Sequence, residues 1–180
     1  MARQAAQPSS KILLRVLGNG EVSIEKGDRE AAKLLGYPAP PRSISIVEAT
    51  YLVYSGQAQA VDEKGKELGF QDLVSLGLRQ SPYAWVLFEV YLDLRKRGKI
   101  PVPGPRRHSI LIRRSKGASR YTHYILVLEE SRRIGVEELL SFVEESMHNG
   151  WEPVVAIVDR YGDITYYSMR PLHPRQGSEL

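Results

Sequence analysis

EPVVAIVDRYGDITYYSMR, residues 152–170, holds two strands around one tight turn. Pro153–Val158 is a continuous apolar run, the pattern of a strand buried on both faces in the middle of a sheet. Arg160-Tyr161-Gly162 supplies the turn. In the strand that follows, Ile164, Tyr166 and Ser168 face one way and Thr165, Tyr167 and Met169 the other, the period of two of a strand at a boundary. Working outward from this pair, Val136, Leu139, Leu140, Val143 and Met147 repeat at helical spacing, and Asn149-Gly150 stops that helix. Strand-like runs lie at 99–102, 108–112 and 121–128. The C-terminal part is therefore expected to be an α/β domain, a helix against a mixed sheet, over residues 83–180.

Upstream, Ser81-Pro82 reads as an N-cap with proline at the first helical position, opening a helix through YAWVLFEVYLDLRKR. Ala84, Leu87, Phe88, Tyr91 and Leu94 make its apolar stripe. Lys96 and Arg97 suit its C-terminal dipole, and Gly98 closes it. Before it, residues 11–24 read as a hairpin around Gly18-Asn19-Gly20, and 29–35 as a short helix ended by Gly36. Ser45 and Glu48 have capping-box spacing for a helix running to Gly56, and another helix is expected near 71–78. Residues 1–82 thus form an α+β N-terminal domain.

Composition limits the chemistry. The 180 residues carry 42% hydrophobic content, enough for a packed core, and no Cys, which excludes disulfides, thiol nucleophiles and cysteine-bound zinc. The first ten residues have no apolar core of a signal peptide, and no apolar run reaches a membrane span; a cytoplasmic protein without membrane partners is expected. No phosphate-cradling glycine loop, serine elbow or paired metal-spaced histidines occur, so neither cofactor nor metal is expected. His108, His123, His148 and His173 are scattered, as structural or solvent-facing histidines are. Net charge is +4, and the excess is concentrated: no acidic residue lies between Asp93 and Glu129, where ten Lys and Arg fall. Such a segment attracts phosphates or an acidic protein surface, and Arg106, Arg107, Arg113, Arg114 and Arg120 are the RNA-binding candidates.

Two phrases resemble the archaeal tRNA-splicing endonuclease family. Tyr91, Asp93, Leu94, Arg95, Arg97 and Gly98 match its "Y-x-D-L-R-x-R-G"; Val158, Asp159, Gly162, Asp163, Tyr166 and Tyr167 match its "V-D-x-x-G-D-x-x-Y-Y". The helix IVEATYLVYSGQAQAV and the strand YTHYILVL are also similar, so the resemblance spans about residues 11–172. It implies a restriction-endonuclease-like C-terminal domain and metal-free cleavage of RNA. A Tyr acts as general base on the 2′-hydroxyl, a His as general acid for the 5′-oxygen, and a Lys stabilises the phosphorane. The implied substrate is a bulge–helix–bulge element of precursor tRNA.

Counting along the phrases puts Arg107 at the Tyr position, Tyr121 at the His position and Trp151 at the Lys position, and the sequence has no Lys after Lys116. His123 lies two residues past Tyr121, on the same strand face. The resemblance therefore implies a structural subunit with no catalytic residues of its own, paired with a catalytic subunit in a two-plus-two heterotetramer. The partner-binding residues it implies are Asp159 and Asp163 on the turn and Ile164, Tyr166 and Ser168 on the final strand, whose free edge can pair with another chain. Two other readings remain: an active endonuclease using His123 with Arg107 or Arg120 as the cation, and a stand-alone RNA-binding module using residues 95–120.

Overall fold

The structure, a computed structural model, describes residues 12–170. In chain order the elements are β1 (Ile12–Val16), β2 (Val22–Lys26), α1 (Asp28–Leu35), β3 (Ser43–Ile44), α2 (Ile46–Tyr54), β4 (Ala58–Val61), β5 (Glu67–Leu68) and α3 (Phe70–Gln80). There follow α4 (Ala84–Lys96), β6 (Pro101–Pro103), β7 (Ser109–Arg113), β8 (Tyr121–Glu129), α5 (Val136–His148), β9 (Glu152–Val158) and β10 (Ile164–Ser168). The strands form two mixed five-stranded sheets, ordered β3-β2-β1-β4-β5 and β10-β9-β8-β7-β6. Each has one parallel pair, β1 with β4 and β8 with β9, among antiparallel neighbours.

In the first sheet Ile12, Leu14 and Val16 of β1 point into a core with Leu35 of α1, Ala49 and Leu52 of α2, and Leu73 of α3. α2 begins with the capping box that its spacing predicts. Ser45 Oγ accepts from the Glu48 amide at 3.2 Å, and the Glu48 carboxylate accepts from the Ser45 amide at 2.9 Å. The same carboxylate also accepts from the Tyr37 hydroxyl at 2.8 Å and is fully buried.

The second sheet explains the unbroken apolar run of β9. Strands β8 and β9 are covered on both faces. Ile125, Val127, Val154 and Ala156 meet α4, while Tyr124, Leu126 and Val155 meet Phe142 of α5. α4 departs from its expected single stripe: Val86 and Val90 are buried alongside Leu87, Phe88, Tyr91 and Leu94. The reason is that it is packed on two sides. One side lies on the second sheet, and the other presents Phe88 to Tyr54, Phe70 and Trp85 at ring distances of 5.4–5.9 Å. Its start also differs from the expectation. Ser81 caps the end of α3 and accepts from the Tyr83 amide at 3.2 Å, so the residue preceding the first helical turn is Tyr83. Pro82 stands in the turn between two helices rather than inside the second.

The two matching phrases meet in space, and their polar residues hold the frame. Asp93 Oδ2 accepts from Arg97 Nε and from the Tyr166 hydroxyl, both at 2.7 Å, tying α4 to β10. Arg95 reaches back to α1, donating to the carbonyls of Leu34 and Leu35 at 3.2 and 3.1 Å and to the Tyr91 hydroxyl at 2.8 Å. Those carbonyls belong to the last turn of α1, where helical partners run out and the dipole is negative.

Burial pushes the Glu48 carboxyl above its ordinary value near 4.5, against the opposing hydrogen bonds from Ser45 and Tyr37. The folded chain therefore keeps a proton that the unfolded chain releases. The stability this contributes is complete below the unfolded value and is lost as pH rises through the folded value. Glu48→Gln should remove that titration. Thermal melts from about pH 5 to pH 8 should show the natural protein losing stability with pH relative to the variant. Parallel profiles would show that the fold does not raise the Glu48 carboxyl above its unfolded value.

Candidate functional site

Because β8 and β9 run parallel, their first residues lie side by side, and β7 ends beside them. His123 is in register with Glu152, and Arg113 with Tyr121. Three strand ends thus bring Arg113, Tyr121, His123 and Trp151 to one end of the second sheet. The Trp151 ring stands edge-on to Tyr121 at 5.9 Å and to Tyr124 at 5.6 Å. The Arg113 guanidinium lies over the rings of Tyr37 and Tyr121, 5.4 and 5.2 Å from their centroids, and donates to the Ala118 carbonyl at 2.5 Å. At 5% exposure it has no route to a ligand in solvent.

His123 is partly exposed beside the exposed Glu152, and it is engaged. Its Nδ1 is 2.8 Å from Thr122 Oγ1 and its Nε2 is 3.4 Å from a Glu152 oxygen. Glu152 in turn accepts from Ser168 Oγ at 2.5 Å, a bond that, with His123, holds its carboxyl below the usual range. The phenol of Tyr37 nearby is shifted up, chiefly by burial, and so stays protonated rather than serving as a base. Among the described residues no group of three His, Cys, Asp or Glu is placed to hold a metal.

The predicted residues divide by position. Tyr121 and Trp151 meet; Arg107 does not join them. It lies in the turn before β7, at the opposite end from Arg113 of a strand about 13 Å long. The residue that the fold sets across from Tyr121 is Arg113. Arg106 is committed to α5, bonding Glu145 Oε2 at 3.0 Å and Ser141 Oγ at 3.1 Å. Arg114, Lys116 and Arg120 are exposed on the loop after β7, which the Gly117 amide pins to Gly36 at 3.3 Å. The continuous basic segment of the sequence is therefore split between both ends of the sheet and the interior. The Arg113–Tyr37 stack was not legible in the sequence, since it joins residues 76 positions apart with no motif between them.

On β10, Ile164 and Tyr166 pack toward α4 while Tyr167 is 51% exposed, and among the described residues the strand pairs only with β9, leaving one edge open. Asp159 Oδ1 accepts from the amides of Tyr161 and Asp163 at 2.8 and 2.9 Å, which closes the turn. The Asp163 side chain is exposed.

Residues 84–166 match the family described as the tRNA intron endonuclease, catalytic C-terminal domain. The chain is 32% identical over 152 residues to the tRNA-splicing endonuclease of Methanococcoides burtonii, covering 81% of this chain and 42% of that relative. It is 33% and 31% identical over 126 residues to the tRNA-splicing endonucleases of Pyrococcus horikoshii and Pyrococcus furiosus, each match covering 70% of this chain and 74% of the relative.

If Trp151 fills the strand ends as packing, Trp151→Ala should lower unfolding stability by about 3 kcal/mol, at the lower end for a core Trp because the ring is half-exposed. Denaturant titration measures it, and a loss below about 1 kcal/mol would mean that the ring contributes little packing there.

Proposed function

We propose, since this chain belongs to the tRNA-splicing endonuclease family, that it serves there as a non-catalytic, structural subunit. The reading is supported above all by the packing of Arg113, Tyr121 and Trp151. Tyr121 and Trp151 stand edge to face where the family resemblance implies the general acid and the phosphate-stabilising cation, Arg113 covers the Tyr121 ring, and Arg107, at the position of the general base, lies at the other end of β7. The nearest cation, Arg113, is enclosed between two rings, and Trp151 leaves no ammonium beside it. Proton transfer at the ribose 2′-hydroxyl and at the leaving 5′-oxygen needs two free groups and a reachable charge. His123 alone does not supply them.

In this reading the chain pairs with a catalytic subunit, two copies of each, on bulge–helix–bulge precursor tRNA. The N-terminal unit ends near residue 82 and the endonuclease-like unit follows. Arg114 and Arg120 are the arginines best placed to meet RNA phosphates at the Tyr121 end, since Arg106 and Arg113 are engaged within the fold. The open edge of β10 and the exposed Asp163 face the partner chains, and the complex works in the cytoplasm.

The pure chain should leave a bulge–helix–bulge RNA uncut, and addition of a subunit bearing the Tyr, His and Lys should yield cleavage dependent on both chains. Robust cleavage by the chain alone, abolished by His123→Ala, would replace this reading with an active nuclease.

Asp163 tests assembly better than Asp159, whose carboxylate closes the turn. A carboxylate docked against a basic surface costs about 2–5 kcal/mol when its pairing is broken, against about 1 kcal/mol for a turn hydrogen bond. Asp163→Lys should split the heterotetramer into folded heterodimers in analytical ultracentrifugation. An intact tetramer would remove Asp163 from the interface.

A further inference from the structure

At the other end of β7 from Tyr121, the first sheet's helices and the second sheet enclose a cleft of about 500 Å³. That size is typical of small-ligand pockets, which combine apolar walls with a few polar groups. Ile46 and Val47 of α2, Leu87 of α4 and Ile110 of β7 form the walls. Most of the polar lining is already used. Ser45 Oγ is engaged with Glu48, Ser109 Oγ with the Arg106 backbone, and the Arg106 fork with α5. Arg107 is different: it is exposed, lines the cleft, and has no side-chain ion pair or hydrogen bond among the described residues. Asn19 and Gln80 add amides at the rim.

Two glycines shape this space. At Gly104 a Cβ would lie 2.3 Å from Ser109 Oγ, so only glycine lets the loop after β6 fold tightly there and present Arg107. At Gly20, where φ is +79°, a Cβ would lie 1.1 Å from Gln80 Nε2, so the bare backbone gives that amide its seat.

We propose that this cleft binds one nucleotide unit, its base against the apolar walls with an edge toward Asn19 and Gln80, and its phosphate on Arg107. The ligand must offer both a flat apolar body and a compact negative charge. A carboxylate-rich peptide fits less well, because one unpaired cation serves one anionic group and the walls are mainly apolar. A free nucleoside monophosphate and an unstacked nucleotide of an RNA strand carry the same chemistry. The site is remote from the Tyr121 end and does not depend on whether the chain is catalytic or structural.

Isothermal titration of the full chain with AMP, adenosine, inorganic phosphate, an adenylate pentamer and an aspartate-rich peptide tests this. AMP should bind about tenfold more tightly than adenosine or phosphate alone, and Arg107→Ala should remove that tenfold advantage over adenosine. Gln80→Ala should weaken AMP about threefold, and the amide resonances of Gly104 and Gln80 should shift on titration. A pentamer that binds more tightly than AMP assigns the site to RNA; equal or weaker binding assigns it to a free nucleotide. Absence of AMP binding at millimolar concentration, equal affinity for inorganic phosphate, indifference to Arg107→Ala, or binding of the acidic peptide in place of AMP would each overturn the proposal.

Discussion

The guanidinium of Arg95 is the tie on which the arrangement of the two sheets depends. From α4 it spans to the last two carbonyls of α1, bonds the Tyr91 hydroxyl, and lies 5.2 Å from the ring centroids of both Tyr51 and Tyr91. Charged hydrogen bonds of this kind contribute about 1.5–3 kcal/mol each, more than neutral ones. They also satisfy carbonyls that a helix end would otherwise bury unpaired. A lysine could match the charge but not the planar fork that reaches two carbonyls and a phenol together. With α1 held to α4, Tyr37 and Glu48 on one side and Arg113 on the other form one buried polar layer between the sheets.

That layer changes what the family's sequence phrases mean. Asp93, Arg97 and Tyr166 are bound to one another, and Arg95 is held by the Leu34 and Leu35 carbonyls and the Tyr91 hydroxyl. Arg97 also lies over the Tyr166 ring at 5.5 Å. They join the helix that enters the second sheet to the strand that ends it. These phrases therefore serve the fold itself, whatever groups the strand ends carry. The strand ends beside them hold the rings of Tyr121 and Trp151 and the enclosed guanidinium of Arg113.

Basic charge is also redistributed by folding. Ten cations in one acid-free stretch suggest a single face, but β7 runs through the middle of that stretch and carries its ends apart. Arg106 goes to α5 and Arg113 to the interior, while Arg107 and Arg114 emerge at opposite ends of one strand. Only the exposed members keep a field that a polyanion can feel over a Debye length.

The sequence by itself determined most of the elements. The apolar run of β9, the alternation in β10, the capping box at Ser45 and the glycine stops after α1 and α4 are local signals, set by backbone sterics and side-chain period. It also determined that no lysine follows Lys116, a fact no conformation can change. Tertiary structure alone decided the rest. That α4 is buried on two sides follows from having a sheet on one side and an aromatic cluster on the other, which a single apolar stripe does not reveal. Ser81-Pro82 reads as a helix start, yet it forms the turn between α3 and α4, which pack closely at Gly77 and Ala84. The pairing of Tyr121 with Arg113 rather than Arg107 came from strand register, which depends on how two strands and their connecting turn fit together and not on either strand alone.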